Sequence, residues 1–125
     1  MFLLYLYAMN RSSVSPGPLT LVEFEILLSL ASGDLHGYAV LQDIDRRTDG
    51  ALNLRPGTLY RAMNRLLNTG LIAETADAAR AKEDPRRRTY RMTAEGRKVA
   101  AAEAARLAKQ LTTARLRKVL RRGEA

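Results

Sequence analysis

The sequence contains no cysteine, no tryptophan and a single histidine, His36. Without thiols it can form neither a disulfide framework nor a thiolate metal site. One imidazole leaves little scope for histidine-based acid–base catalysis or for a zinc centre. No nucleophile–base pair, metal-ligand cluster or phosphate-binding glycine loop is present, so neither an enzyme nor a cofactor is expected. Long apolar runs are missing too. The stretch MFLLYLYAM, residues 1–9, is far short of the ~20 residues that cross a bilayer. It also lacks the basic leader and small-residue cleavage site of a secretory signal. The absence of thiols fits a reducing cytoplasm, which is the expected location.

What is present is charge of one sign, unevenly placed. The 125 residues carry a net +8 with a pI near 10.4. Residues 1–79 hold six Lys/Arg against eight Asp/Glu, whereas residues 80–125 hold fifteen against five. A basic half of this kind points to a polyanion, either nucleic acid or an acidic membrane surface. A solvated basic tail is the plain alternative. The length suits one domain, and 46% hydrophobic residues suffice for a modest core.

Thr20-Leu21-Val22-Glu23 has the pattern of a capping box and predicts a first helix over 20–32. Leu21, Phe24, Leu27, Leu28 and Ala31 would form its apolar face, with Gly33 as the stop. A second helix is expected from Gly37, with Val40, Leu41 and Ile44 as a narrow stripe, ending before Gly50. A third starts at Pro56, where a missing N–H does no harm, and ends at Gly70. At 100° per residue, Leu59, Ala62, Met63 and Leu66 share one arc. Gly57, Thr58, Arg61, Asn64, Arg65 and Asn68 cover the opposite side, with Tyr60 and Leu67 at one boundary. The period then changes. Leu71–Thr75 and Arg88–Met92 read as two strands joined by a polar loop, ADAARAKEDPRR. Thr93 caps a last, long helix expected to reach about Leu120.

Two short helices, the second with a polar-basic face, followed by a basic-rimmed hairpin, have the order of a winged helix-turn-helix. A major groove about 12 Å wide admits one helix, whose outward side chains must supply donors and acceptors. Arg61 and Arg65 can pair with guanine and Asn64 with adenine, while Thr58 can meet a phosphate or a thymine methyl. A polar face that meets only water is the alternative, and the arginines Arg86, Arg87, Arg88 and Arg91 around the hairpin weigh against it.

The segments HGYAVLQDI, PGTLYRAMNRLLNTGLI and RRRTYRMTAEGRKV, in this order and spacing, resemble the PadR family of bacterial transcriptional regulators over about Leu19 to Val99. The resemblance implies a dimeric winged-helix repressor with its third helix in the major groove and its wing on the backbone or minor groove. Thr58, Tyr60, Arg61, Asn64 and Arg65 match the family's recognition-helix positions. Tyr38 matches the tyrosine of the HGY motif, where a phosphate contact and core packing both stay open. For His36 a capping or turn role is favoured over ligation. Tyr90 is expected to pack the wing onto the body. There are departures. Arg55 stands where a small capping residue is usual, so this cap is weak or is supplied by Asn53. A cation beside a helix N-terminus is disfavoured by the dipole unless a phosphate is near, which makes Arg55 a candidate backbone contact. Leu67 replaces a usually charged position and creates an apolar spot beside Tyr60 that the N-terminal arm would cover.

In the last helix Ala100, Ala104, Leu107, Leu111 and Ala114 trace a 4-3-4-3 seam, the spacing of a two-helix contact. The resemblance is to the short branch of the family, in which the last helix, with the first, builds the dimer. Three readings of the apolar arm stay open: a segment that packs on the domain, a partner contact that adds to that interface, or an artefact of start-codon choice with Met9 as the initiator. Some short relatives hold flat aromatic compounds between these helices, but this helix has no aromatic residue, so any small-molecule effector stays undefined. Arg115, Arg117, Lys118, Arg121 and Arg122 form a basic end. A basic helix lying on a membrane is the less favoured use of this segment, since its apolar side is mostly alanine.

The expected fold class is therefore mainly α with a small β-hairpin, a winged helix-turn-helix plus a long C-terminal helix. Residues 1–18 form an apolar arm and linker, 19–93 the DNA-binding domain, and 94–125 the dimerisation helix with its basic end. The expected partners are double-stranded DNA and a second copy of the chain, bound to a pseudo-palindromic operator. A non-specific basic protein that coats nucleic acid is the alternative.

Overall fold

A computed structural model of the chain describes residues 18–75 and 88–121. The apolar arm, most of the linker, the loop between the wing strands with Arg86 and Arg87, and Arg122 lie outside the described residues. The elements run α1 (Leu21–Leu30), β1 (Leu35–His36), α2 (Gly37–Arg47), α3 (Pro56–Asn68), β2 (Ile72–Glu74), β3 (Thr89–Met92) and α4 (Ala94–Leu116). This is the winged helix-turn-helix with a long last helix that the pattern predicted.

The capping box forms as expected at α1. The Thr20 hydroxyl accepts from the Glu23 amide at 3.1 Å, and the Thr20 amide donates to the Glu23 carboxylate at 2.8 Å. The predicted face of this helix only partly coincides with the buried one, sharing Leu27 and the half-buried Phe24. Ile26, Leu27, Ser29 and Leu30 point inward, while Leu21, Leu28 and Ala31 are exposed. LVEFEILLSL is apolar nearly all round, so periodicity has no direction there. The packing of α1 against α2, α3 and α4 decides it. Ser29 tolerates burial because its hydroxyl donates to Asp43 and accepts from Arg47, both at 2.7 Å. The helix stops at Leu30, and Gly33 is not in the left-handed region.

Helix α3 buries its predicted stripe, and α2 buries Val40 and Ile44 of its own with Leu41 half-buried beside them. Val40 and Ile44 of α2 and Leu59, Ala62, Met63 and Leu66 of α3 join Ile26, Leu27 and Leu30 in one core. Gly70, at φ 76°, closes α3. The Leu71 amide bonds Leu66 O at 2.9 Å and the Gly70 amide bonds Leu67 O at 3.1 Å, the paired bonds of a Schellman turn.

The sheet has a strand that the sequence pattern did not reveal. β1 pairs with β3 (Leu35 opposite Tyr90, His36 opposite Thr89), giving the antiparallel order β1-β3-β2. Two residues are too few to show an alternating pattern. On the other side of β3, Ile72 faces Met92 and Glu74 faces Tyr90. Tyr90 is buried and secures the wing to the body, as expected. Burial raises its phenol pKa above the usual value.

Thr93 starts α4 and joins it to the end of α3. Its hydroxyl accepts from the Gly96 amide at 3.0 Å and lies 2.7 Å from Gly70 O and 3.0 Å from Leu71 O. A Cβ on Gly96 would sit 2.0 Å from the Leu71 carbonyl oxygen, so only glycine permits this approach. The helix ends at Leu116, short of the expected Leu120. Lys118 takes a left-handed conformation (φ 61°), and the Val119 and Lys118 amides bond Ala114 O and Arg115 O. This is a second Schellman turn, formed without glycine, which the run of helix-favouring residues concealed.

Candidate nucleic-acid interface

Helix α3 is held by one side and presents the other. With its four apolar residues buried, Gly57, Arg61, Asn64 and Asn68 centre the outward face, and all four are exposed. Thr58 and Arg65 flank that face on one side, Tyr60 and Leu67 on the other. The Arg61 guanidinium folds towards the first turn, 3.3 Å from the Thr58 hydroxyl. A Cβ on Gly57 would only touch the same guanidinium, at 3.4 Å.

The first turn of α3 is poor in internal partners. Arg55 is its N-cap residue, without a side-chain cap bond, and Pro56 has no N–H to offer. Asn53 adopts φ 45° and does not substitute as the cap residue. Arg55, Gly57, Thr58 and Arg61 are exposed at this end of the helix, where outward N–H groups and two cations favour an anion. Tyr38, on the first turn of α2, is 60% exposed. That removes core packing as its role and leaves it available to a ligand.

Two of the predicted contact residues have other engagements. Arg65 Nε lies 3.5 Å from the Glu23 carboxylate of α1, so this arginine belongs to the flank of the reading face rather than its centre. The Tyr60 ring lies on α2, where a Cβ on Gly37 would approach it to 2.8 Å. Its place in the helix is therefore a packing one. Leu67 beside it is half-buried against the core.

On the wing, Arg88 is exposed and lies 3.5 Å from the Glu74 carboxylate across the strands. Arg91 is exposed. His36 Nδ1 lies 3.0 Å from the Thr89 hydroxyl. As the N-cap residue of α2 it makes no side-chain cap bond. Its turn role is thus to tie β1 to the wing, and capping is not part of it.

An ion-pair network fixes α2 against α1. Arg47 binds Asp43 at 2.8 Å, Glu25 at 2.5 Å and the Ser29 hydroxyl at 2.7 Å. The hydrogen bond from Arg47 is the main cause holding the Asp43 carboxyl below its usual pKa. Near the other end of α1, Leu19 N–H donates to Glu103 of α4 at 3.3 Å. Glu103 also binds Arg106, whose hydrogen bond is the main cause of its lowered pKa.

Residues 26–102 match the model of the transcriptional regulator PadR-like family. The chain belongs to this family. A transcriptional regulator from Clostridium thermocellum, Cth-833, is 31% identical, with 80% of this chain and 90% of that one aligned at a TM-score of 0.63. BpsR of Bordetella bronchiseptica, whose DNA binding is regulated by 6-hydroxynicotinic acid, is 22% identical and shares the fold. It covers 98% of this chain and 87% of its own at a TM-score of 0.61. No curated protein sequence matches the chain. Family membership makes the protein a DNA-binding transcriptional regulator and not an enzyme. Among the described residues no helix is long and apolar enough to cross a membrane.

Glu23 is the neighbour of the α3 face that the sequence did not connect to it. The capping-box pattern singled it out, but its second partner, Arg65, lies 42 residues away in a different helix and leaves no local signal.

Proposed function

We propose that the protein is a sequence-specific repressor that binds a pseudo-palindromic operator as a homodimer. Helix α3 enters the major groove, and the wing contacts the backbone or minor groove. The observation that carries this reading is the two-sidedness of α3, buried through Leu59, Ala62, Met63 and Leu66 and exposed through Gly57, Arg61, Asn64 and Asn68. Arg61 and Asn64 have the donors and acceptors for base edges. Arg55, Thr58, Arg65, Tyr38 and Arg88 suit phosphates at the groove margin.

Dimerisation is supported by apolar surface left open in a single copy. On α4, Leu107 and Leu111 are 40% and 41% exposed, and on α1 Leu21 is 58% exposed. Ala104 is exposed and Ala114 half-buried on the same seam, whereas Ala100 packs partly against the chain's own core. The intermolecular contact thus belongs mainly to the seam from Ala104 onward. A two-fold dimer would set two reading helices about 34–36 Å apart along DNA.

Footprinting on the DNA upstream of the protein's own gene tests the reading. Protection of one short inverted repeat, with transcription from that promoter falling as protein is added, is the expected result. Uniform protection would instead establish a basic protein that coats nucleic acid.

A further inference from the structure

The carboxylate of Glu23 has two partners, one on each oxygen. Oε1 accepts from the Thr20 amide at 2.8 Å, within the capping box of α1. Oε2 lies 3.5 Å from Arg65 Nε on α3. Its position is therefore set from two sides. The Thr20 turn is held on α4 through the bond from Leu19 N–H to Glu103. The Glu23 side chain is 15% exposed, whereas that of Arg65 is 52% exposed. The pair thus joins a sheltered, anchored anion to a cation that still reaches solvent.

This placement bears on DNA affinity. A phosphate approaching the Arg65 flank meets an arginine that already has a carboxylate 3.5 Å from its Nε. Arg61, Asn64 and Asn68 meet no carboxylate among the described residues. We propose that Glu23 is a positioning residue for Arg65. It holds the guanidinium back from the phosphate backbone, lowers affinity for DNA of any sequence, and leaves discrimination to Arg61 and Asn64. This rests on α3 being the DNA-contacting helix.

The test exploits the two roles of the carboxylate. Glu23→Gln keeps an acceptor for the capping box, where Gln serves as well as Glu, but removes the charge facing Arg65. Affinity for a generic duplex and for the upstream DNA is measured across a salt series for wild type, Glu23→Gln, Arg65→Ala and the double variant, with thermal unfolding alongside.

Glu23→Gln is expected to keep its melting temperature and bind both duplexes more tightly. Its salt dependence should steepen by about 0.9, the increment for one further phosphate, which equals an extra loss of about 3.5-fold for a fourfold rise in salt. That increment should vanish in the Arg65→Ala background, and the Arg65 Nε–H resonance should move on adding DNA more in Glu23→Gln than in wild type. An unchanged slope in Glu23→Gln, or the same increment with Arg65 absent, overturns the proposal. If Arg61→Ala and Arg65→Ala both bind every duplex as wild type does, α3 is not the interface and the proposal falls with it, by a different signature.

Discussion

Arg61 and Arg65 are one helical turn apart and look equivalent in sequence, yet their surroundings divide them. Among the described residues Arg61 has a neutral hydroxyl at 3.3 Å, and Arg65 has a carboxylate from another helix. Arg61→Ala should therefore relax base preference at one position of each half-site, at a cost of about 1–3 kcal/mol on the preferred operator. Binding to an array of single-base operator variants measures this. Arg65→Ala should leave binding to all of those variants and the salt dependence close to wild type, because Glu23 already holds this guanidinium back from the phosphates. If the two substitutions give the same array profile, the division between them is wrong. The pattern LYRAMNRL revealed which residues face outward, because burial on one side follows from spacing. It could not reveal which outward residue has a partner, because Glu23 comes from a different element.

At the level of elements, the joints between helices carry the orientation of α3. Gly96 lets the first turn of α4 approach the Leu71 carbonyl, and Thr93 bonds across the same junction. Gly96→Ala should destabilise the domain by about 1–3 kcal/mol, since the backbone carbonyl it meets cannot rotate aside. Urea unfolding against wild type checks this, and an unchanged midpoint would falsify it. The α1–α2 joint adds an ion-pair network to its apolar packing, and the contact of Leu19 with α4 is also charged. Asp43 and Glu103 both have folded-state pKa values below their usual ones, owing first to hydrogen bonds from Arg47 and Arg106. A depressed carboxyl pKa contributes stability that is fully present above the unfolded value and lost as pH falls through the folded one. Unfolding free energy should thus decline below pH ~4. Asp43→Asn should make that decline shallower while lowering stability at neutral pH. A pH series of urea titrations provides the comparison.

For the whole molecule, one copy leaves apolar surface open on α1 and along α4, and its described helix ends and wing are rich in arginine. Substituting both Leu107 and Leu111 by Glu would place charge in the middle of the seam. The expected outcome is a monomer by sedimentation, with operator binding lost and an unaltered circular dichroism spectrum. A dimer that survives this change would move the interface elsewhere. Symmetry links this scale to the residue scale, because a half-site contact contributes fully only when the second helix is held at the matching distance.

The sequence by itself determined the order of the helices and of the two wing strands, the α3 faces, both threonine caps and the family, since each of these follows from local spacing or from residues that stand close in the chain. It left α1 without a direction, because a helix apolar all round has no preferred side until α2, α3 and α4 close on it. It was silent on β1, which exists only through pairing with β3, and on the turn at Lys118 that shortens α4. Only the tertiary structure decided that Tyr60 packs on Gly37 and that Arg65 answers to Glu23. The physical reason is shared. Helical and strand periodicity encode where a side chain points, whereas what it meets depends on segments that come together only when the core forms.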